Sequence, residues 1–260
     1  MRSISIKRIK NMMRVVKACM FNKDIVINYQ MGKVGSTTVS RYFRDKGYTE
    51  WHVHRFTDFY IHEKKRKMPI LKILERLVLK FVLWRGCNIK IVCGYRDPLL
   101  RNISMFFETF NGVYVDKDIK LLEYSDLEEL YKENFPHNSS IHWFNEEFNR
   151  ILNIDIFKHP FNKEAGYCVI QKDNVEIFLY QIEKLNSLEA ILRNFFNDYG
   201  YKIIRSNSAI NKEYSDHYEL FKSKYKVDDR TLLQMYNSKA VKYFYTEGQI
   251  QEMIQRWAKS

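Results

Sequence analysis

Two short apolar runs, each delivering the chain into a helix start suited to an anion, constrain this sequence more than anything else in it. The first, Ile25–Tyr29, is continuous and rich in β-branched residues, the pattern of a strand buried on both faces in a parallel sheet. Gly32, Lys33, Val34 and Gly35 follow it, and Ser36, Thr37 and Thr38 open an amphipathic segment carrying Val39, Tyr42 and Phe43. Strand, glycine-containing loop and helix start in that order gather backbone N–H groups and the positive end of a helix dipole at one point. Lys33 adds a charge there and three hydroxyls add donors, so the stretch is suited to a phosphate or a sulfate. The second run, residues 88–95, ends at Arg96. Asp97 suits the cap of the next helix and Pro98 its first turn. Arg96 thus stands at the carboxyl end of a strand, where open α/β sheets bind ligands, and Arg101 and Ser104 share a face of the new helix.

These elements predict an α/β fold with a central, mostly parallel sheet flanked by helices, in which Ile25–Tyr29 and Ile89–Tyr95 are neighbouring inner strands. A chain of 260 residues, 45% hydrophobic and 15% aromatic, is long enough for one substantial domain and too apolar for disorder. A net charge of +12 points to anionic partners. The four cysteines (Cys19, Cys87, Cys93, Cys168) have no C-x-x-C spacing and read as reduced thiols of a cytoplasmic protein. Residues 1–23 form a basic segment without the apolar core of a signal peptide. The apolar stretch 69–84 is interrupted by Lys72, Glu75, Arg76 and Lys80, too charged to span a bilayer. Its Ile70, Ile73, Leu74, Leu77, Val78 and Phe81 follow helical spacing and are expected to pack on the sheet. A surface role at the inner face of a membrane is the lesser expectation, the charged run 63–67 being read as a solvated loop.

Further along, residues 49–56 alternate like a strand, which puts His52 and His54 on one face. Gly86 suits the end of the 69–84 helix. Asn111 and Gly112 suggest a turn, Ser125 the cap of an acidic helix, and Asn138 or Ser139 the cap of a helix over 142–152. Residues 154–157, 166–170 and 175–180 read as strands, 188–196 as a helix, and Thr246 as the cap of a last helix reaching Trp257. The tail from 211 alternates aromatic and basic residues, and some of its lysines, or Arg205, are candidates to line a cleft.

The loop is not the nucleotide-triphosphate type. That motif places its lysine directly after the second glycine, whereas Lys33 precedes Gly35. The order G-K-V-G-S-T-T instead resembles the 5′-phosphosulfate loop of sulfotransferases that use 3′-phosphoadenosine 5′-phosphosulfate (PAPS). R-D-P-L-L-R-N-I-S after an apolar strand resembles their 3′-phosphate element, which implies that role for Arg96 and Ser104. More narrowly, QMGKVGSTT and HWFNEEF…IDIFKHPFNKEAGY are similar to a bacterial, sulfotransferase-like capsular polysaccharide synthesis family, over most of the chain from about residue 24.

The resemblance implies a three-layer, P-loop-like sulfotransferase fold over a single domain, 24–260. It implies PAPS as donor and 3′-phosphoadenosine 5′-phosphate (PAP) as product, held by Gly32, Lys33, Val34, Gly35, Ser36, Thr37, Thr38, Arg96 and Ser104, with no metal. It also implies a hydroxyl of a capsular or acidic saccharide as acceptor and no nucleic acid. Lys33 is then expected to steady the bridging oxygen, and His52 or His54 to take the acceptor proton, since imidazole titrates near neutrality. An H-x-H pair at a comparable place occurs in the uronosyl 2-O-sulfotransferases of heparan sulfate, which this segment resembles. Glu108 and His142 are the other candidate bases. The competing readings are a P-loop kinase or NTPase, with Asp97 holding magnesium, and a basic module that binds nucleic acid or membrane without catalysis.

Overall fold

The two apolar runs become adjacent strands. In the computed structural model, which describes residues 2–57, 60–61, 64–65, 70–197 and 213–259, the strands in chain order are β1 (Ile25–Tyr29), β2 (Glu50–Val53), β3 (Tyr60–Ile61), β4 (Lys64–Lys65), β5 (Ile89–Tyr95), β6 (Tyr167–Lys172) and β7 (Val175–Gln181). Among the described residues the main sheet runs β2-β1-β5-β7-β6, parallel except for β6, and β3 pairs antiparallel with β4 apart from it. The chain leaves β1 for β2 on one side and returns through β5 on the other. The order therefore reverses between β1 and β5, and the crevice beyond their carboxyl ends is where such sheets take ligands.

Helices cover both faces. In chain order they are α1 (Arg2–Met20), α2 (Ser36–Asp45), α3 (Ile70–Trp84), α4 (Pro98–Val113), α5 (Tyr124–Asn134), α6 (Ser139–Phe144), α7 (Glu189–Phe195), α8 (Ser215–Lys224), α9 (Asp229–Tyr236), α10 (Lys239–Phe244) and α11 (Glu247–Trp257). Strand alternation divides the core. Val26, Val92, Phe178 and Tyr180 pack with Val39 and Phe43 of α2 and Leu192 of α7. Ile25, Ile27, Ile91 and Leu179 join the larger core on the opposite face, which includes Val15 of α1, Leu79 of α3 and Phe106 of α4.

Several expectations are corrected. Asn111 and Gly112 lie inside α4 rather than in a turn. The acidic helix α5 is capped not by Ser125 but by Glu123, whose side chain and that of Asp126 form a capping box. Residues 154–157 do not form a strand; Ile156–Lys158 is a 3-10 turn capped by Asp155. The helix placed at 142–152 begins at Ser139 as α6 and continues as a π-helical stretch, Asn145–Leu152. The strand expected over 49–56 is only Glu50–Val53, so His54 lies just past its end. Helix α3 turns Glu75, Leu79 and Val82 inward, where it packs beside α1, and leaves Ile70, Ile73, Leu74 and Leu77 exposed, since its inner side carries too narrow a stripe to bury them all. The four thiols are not all free: Cys19 and Cys87 form a disulfide, their Cα atoms 5.6 Å apart. Cys93 and Cys168 are free and buried. Part of the run 63–67, and Arg205, lie outside the described residues. No helix among the described residues is long and apolar enough to cross a membrane.

Candidate functional site

The loop between β1 and α2 is pinned by its carbonyls. Arg101 Nε donates to Gly32 O at 3.2 Å, Arg96 Nη1 to Lys33 O at 3.1 Å, and Tyr180 Oη to Val34 O at 3.3 Å. In a trans peptide the N–H of the next residue points opposite to the carbonyl, so the amides of residues 33, 34 and 35 are directed away from these three donors. Lys33 and Gly35 make this possible by adopting left-handed backbone, φ +73° and +81°. For lysine this conformation costs about 1 kcal/mol or more, and the pinned carbonyls hold it there. At Gly35 the positive φ alone strains any other residue, and a Cβ there would also have to displace Ile182 Cδ1. Beyond the loop, Ser36 and Thr37 open α2 with amides that have no carbonyl within the helix to meet. The Thr38 amide is already taken by Gly35 O at 3.1 Å. Val34 has its side chain buried, so its contribution to an anion is backbone only.

The second motif closes on the first. Arg96 Nη1 also donates to Ser104 Oγ at 3.3 Å, and Ser104 Oγ lies 3.0 Å from Tyr218 Oη. Lys33 Nζ meets Glu108 Oε2 at 3.2 Å, and Tyr214 Oη donates to the same oxygen at 2.7 Å. Arg101 is buried, and besides Gly32 O its partners are Asn102 Oδ1 and Ser139 Oγ. Burial and the nearby Arg55 push its pKa down to about 10, so it is still a cation at neutral pH. Among the described residues neither Arg96 nor Arg101 has an ion-pair partner. Two cations held by neutral oxygens at one strand edge leave positive charge that an anion would compensate.

His52 and His54 stand together beside this loop, ring centroids 4.6 Å apart and nearly perpendicular. His54 Nδ1 is 2.8 Å from the Gln30 carbonyl, which can only accept, so Nδ1 carries the proton and Nε2 the lone pair. His52 Nδ1 is 3.2 Å from Ser40 Oγ. That hydroxyl donates to Glu50 Oε1 and accepts from Asn28 Nδ2 at 2.8 Å, which leaves a lone pair for His52 Nδ1–H. Both imidazoles are therefore set with Nε2 as the basic atom. Both side chains reach solvent, and the partial burial of their rings is the first cause of a lowered pKa in both. For His52 the charges of His54, Arg44 and Lys7 act in the same direction, whereas for His54 the Gln30 carbonyl opposes it. The direction keeps both rings neutral at pH 7.

Further residues hold this arrangement and carry no mark in the motifs. Glu147, fully buried in the π-helical stretch, accepts from Tyr29 Oη at 2.5 Å, Phe56 N at 2.7 Å and the Thr57 amide and hydroxyl, anchoring the segment after the histidines. Arg55 lies between, paired with Glu146 Oε2 at 2.5 Å. Asn28 Nδ2 also donates to Ser36 O, and Gln30 Oε1 accepts from Gly94 N and Tyr180 Oη. Polar Asn28 within the apolar strand and Gln30 just past its end are the available signal for this network. Asp97 is structural: its carboxylate caps α4 at Leu99 N and Leu100 N and accepts from Tyr236 Oη and Trp257 Nε1. His142 is exposed on α6 and makes no described contact with the loop, whereas Glu108 touches Lys33. Among the described residues of the tail, Tyr214 and Tyr218 reach the site.

The chain matches the family model described as “Putative capsular polysaccharide synthesis protein” over residues 113–246, a little over half of its length. It belongs to that family. No curated protein and no solved structure matches it. Within this capsular polysaccharide synthesis family the matched span covers Ser139, Glu146, Glu147, Tyr180 and Tyr218, the residues that brace the loop and the histidines. The loop itself and Arg96–Ser104 lie before it, so the likeness expected from residue 24 onward is found over the second half of the chain.

Proposed function

We propose that this protein transfers a sulfuryl group from PAPS to a saccharide hydroxyl in capsular or exopolysaccharide synthesis. The observation that carries the reading is the bridge made by Arg96 between Lys33 O and Ser104 Oγ, which joins the two anion motifs at the β1–β5 switch point. A donor with a phosphosulfate at one end and a 3′-phosphate at the other needs two anion sites facing one crevice. The unpaired cations Arg96 and Arg101 supply charge for it, and the amides of residues 33–37 supply donors.

The donor supplies an activated sulfuryl group with PAP as the leaving group. The acceptor O–H gives its proton to Nε2 of His52 or His54 as its oxygen bonds to sulfur and the sulfur–oxygen bond to the 5′-phosphate breaks. Lys33, released from Glu108, and the α2 N-terminus then face the negative charge gathering on that phosphate. The Nδ1 contacts to Gln30 O and, through Ser40, to Glu50 keep both basic nitrogens oriented. The saccharide acceptor follows the family's description, and the bridging tyrosines Tyr214 and Tyr218 place aromatic edges beside Lys33 and Ser104.

A magnesium-dependent phosphate enzyme is disfavoured by Asp97. The acid it would need at the β5 end is buried and committed to the cap, Tyr236 and Trp257. Thermal shift with PAP, ATP–magnesium and a random oligonucleotide separates the readings: stabilisation by PAP alone is expected. Stabilisation by ATP–magnesium but not PAP would replace the sulfotransferase with a phosphate enzyme.

A further inference from the structure

We propose that the outer side of α1 and α3 is a docking surface for an anionic lipid bilayer. Of the fifteen large hydrophobic side chains exposed among the described residues, ten lie on these two helices or the turn after α1. On α1 they are Ile6, Ile9, Met13 and Met20, spaced three, four and seven apart in a single row, with Phe21 just beyond, 66% exposed. On α3 they are Ile70, Ile73, Leu74, Leu77 and Trp84, the first 77% and the last 81% exposed.

The two rows belong to one layer. Arg8 pairs with Glu75 at 2.7 Å, and Cys19 is bonded to Cys87. Between these two links the chain advances eleven residues on α1 and twelve on the α3 side, so the helices lie side by side and run the same way. Both turn their inner residues, Val15 and Leu79 among them, into the same core, which leaves their apolar rows outward together.

Charge identifies the occupant. Helix α1 carries Lys7, Lys10, Arg14 and Lys17 beside its apolar row and contains no acid. Helix α3 adds Arg76 and Lys80, and its one acid, Glu75, is buried and paired with Arg8 and Lys72. At the carboxyl end of α1 the surface sinks into a hollow of about 460 Å³ lined by Arg14, Lys17, Ala18, Phe21, Lys23 and Thr49, a place for a lipid phosphate. Apolar rows edged by cations, with no exposed carboxylate on either helix, match an anionic headgroup layer over acyl chains. A second copy would set cations against cations. A nucleic acid would leave the apolar rows wet.

The test uses the full chain and vesicles of phosphatidylcholine with and without phosphatidylglycerol. Sedimentation with the anionic vesicles only is expected. Trp84 is the reporter of insertion, because Trp51, Trp143 and Trp257 are buried. Its fluorescence should move to the blue and be quenched by brominated lipid. Lys10→Glu/Lys17→Glu/Lys80→Glu, with an unchanged melting temperature, should weaken binding by about 10-fold or more, given the worth of each basic residue near an anionic surface. No binding, equal binding to both vesicle types, or binding without quenching of Trp84 overturns the proposal, as does dimerisation or oligonucleotide binding through this face in place of vesicles. The quenching measurement on the unaltered protein stands whether or not the variant folds.

Discussion

Arg96 Nη1 reaches back across 63 residues of chain to the carbonyl of Lys33 at 3.1 Å. The contact fixes the strained backbone of the loop after β1 from the end of β5, so the geometry of one anion motif depends on the other. A change in either motif is therefore expected to disturb the other.

The first prediction concerns the loop itself. Gly35→Ala puts a side chain into left-handed backbone and against Ile182, and the variant should lose about 1–3 kcal/mol of stability. It should also lose PAP binding, because relief of the strain turns the loop amides. Urea unfolding and calorimetry check both; a variant with unaltered stability and affinity removes the loop geometry from the account.

The second concerns the base. Changing whichever histidine takes the proton to alanine should slow transfer by about 10²–10⁴-fold with PAP affinity nearly intact. Desolvation lowers both imidazole pKa values, so the neutral, basic form persists to lower pH. The acid limb of the rate profile should then fall below the ordinary histidine value of about 6.5 rather than at it. Near-normal transfer by His52→Ala/His54→Ala would move the role to Glu108, which already contacts Lys33.

The third separates positioning from chemistry. Ser40→Ala removes the acceptor that holds His52 Nδ1–H, and Glu50 and Asn28 lose a shared partner. The turnover number should fall while the KM for PAPS stays unchanged, and the acid limb should shift as the ring's tautomer is freed. An unchanged pH profile would leave Ser40 a packing residue only.

Much of this was legible in the chain. Ile25–Tyr29 and Ile89–Tyr95 declare themselves because strands buried on both faces cannot hide their composition, and Asp97–Pro98 marks a helix start by fixed local chemistry. The reading failed where tertiary context outweighed local signals. Gly112 is carried through a helix whose other face is anchored by Phe106, Phe107 and Phe110. The α3 apolar residues have helical spacing whichever way they face, so periodicity alone did not reveal that four of them point outward. Glu147 is a brace whose partners Tyr29, Phe56 and Thr57 lie ninety or more residues away, and no spacing announces it.

The fourth prediction follows from a pairing the sequence did not suggest. With Cys19 bonded to Cys87, denatured and unreduced protein should present two thiols, from Cys93 and Cys168. Cys19→Ser/Cys87→Ser should cost about 4 kcal/mol of stability for a loop of 68 residues. Four titratable thiols in unreduced protein would contradict the pairing.

The most direct measurement is a calorimetric titration of PAP into the wild type and into Arg96→Ala. The account predicts binding by the wild type without magnesium, and a loss of about 1.5–3 kcal/mol in the variant, the usual worth of a charged hydrogen bond. Absence of PAP binding to the wild type, or equal affinity in the two proteins, would contradict it.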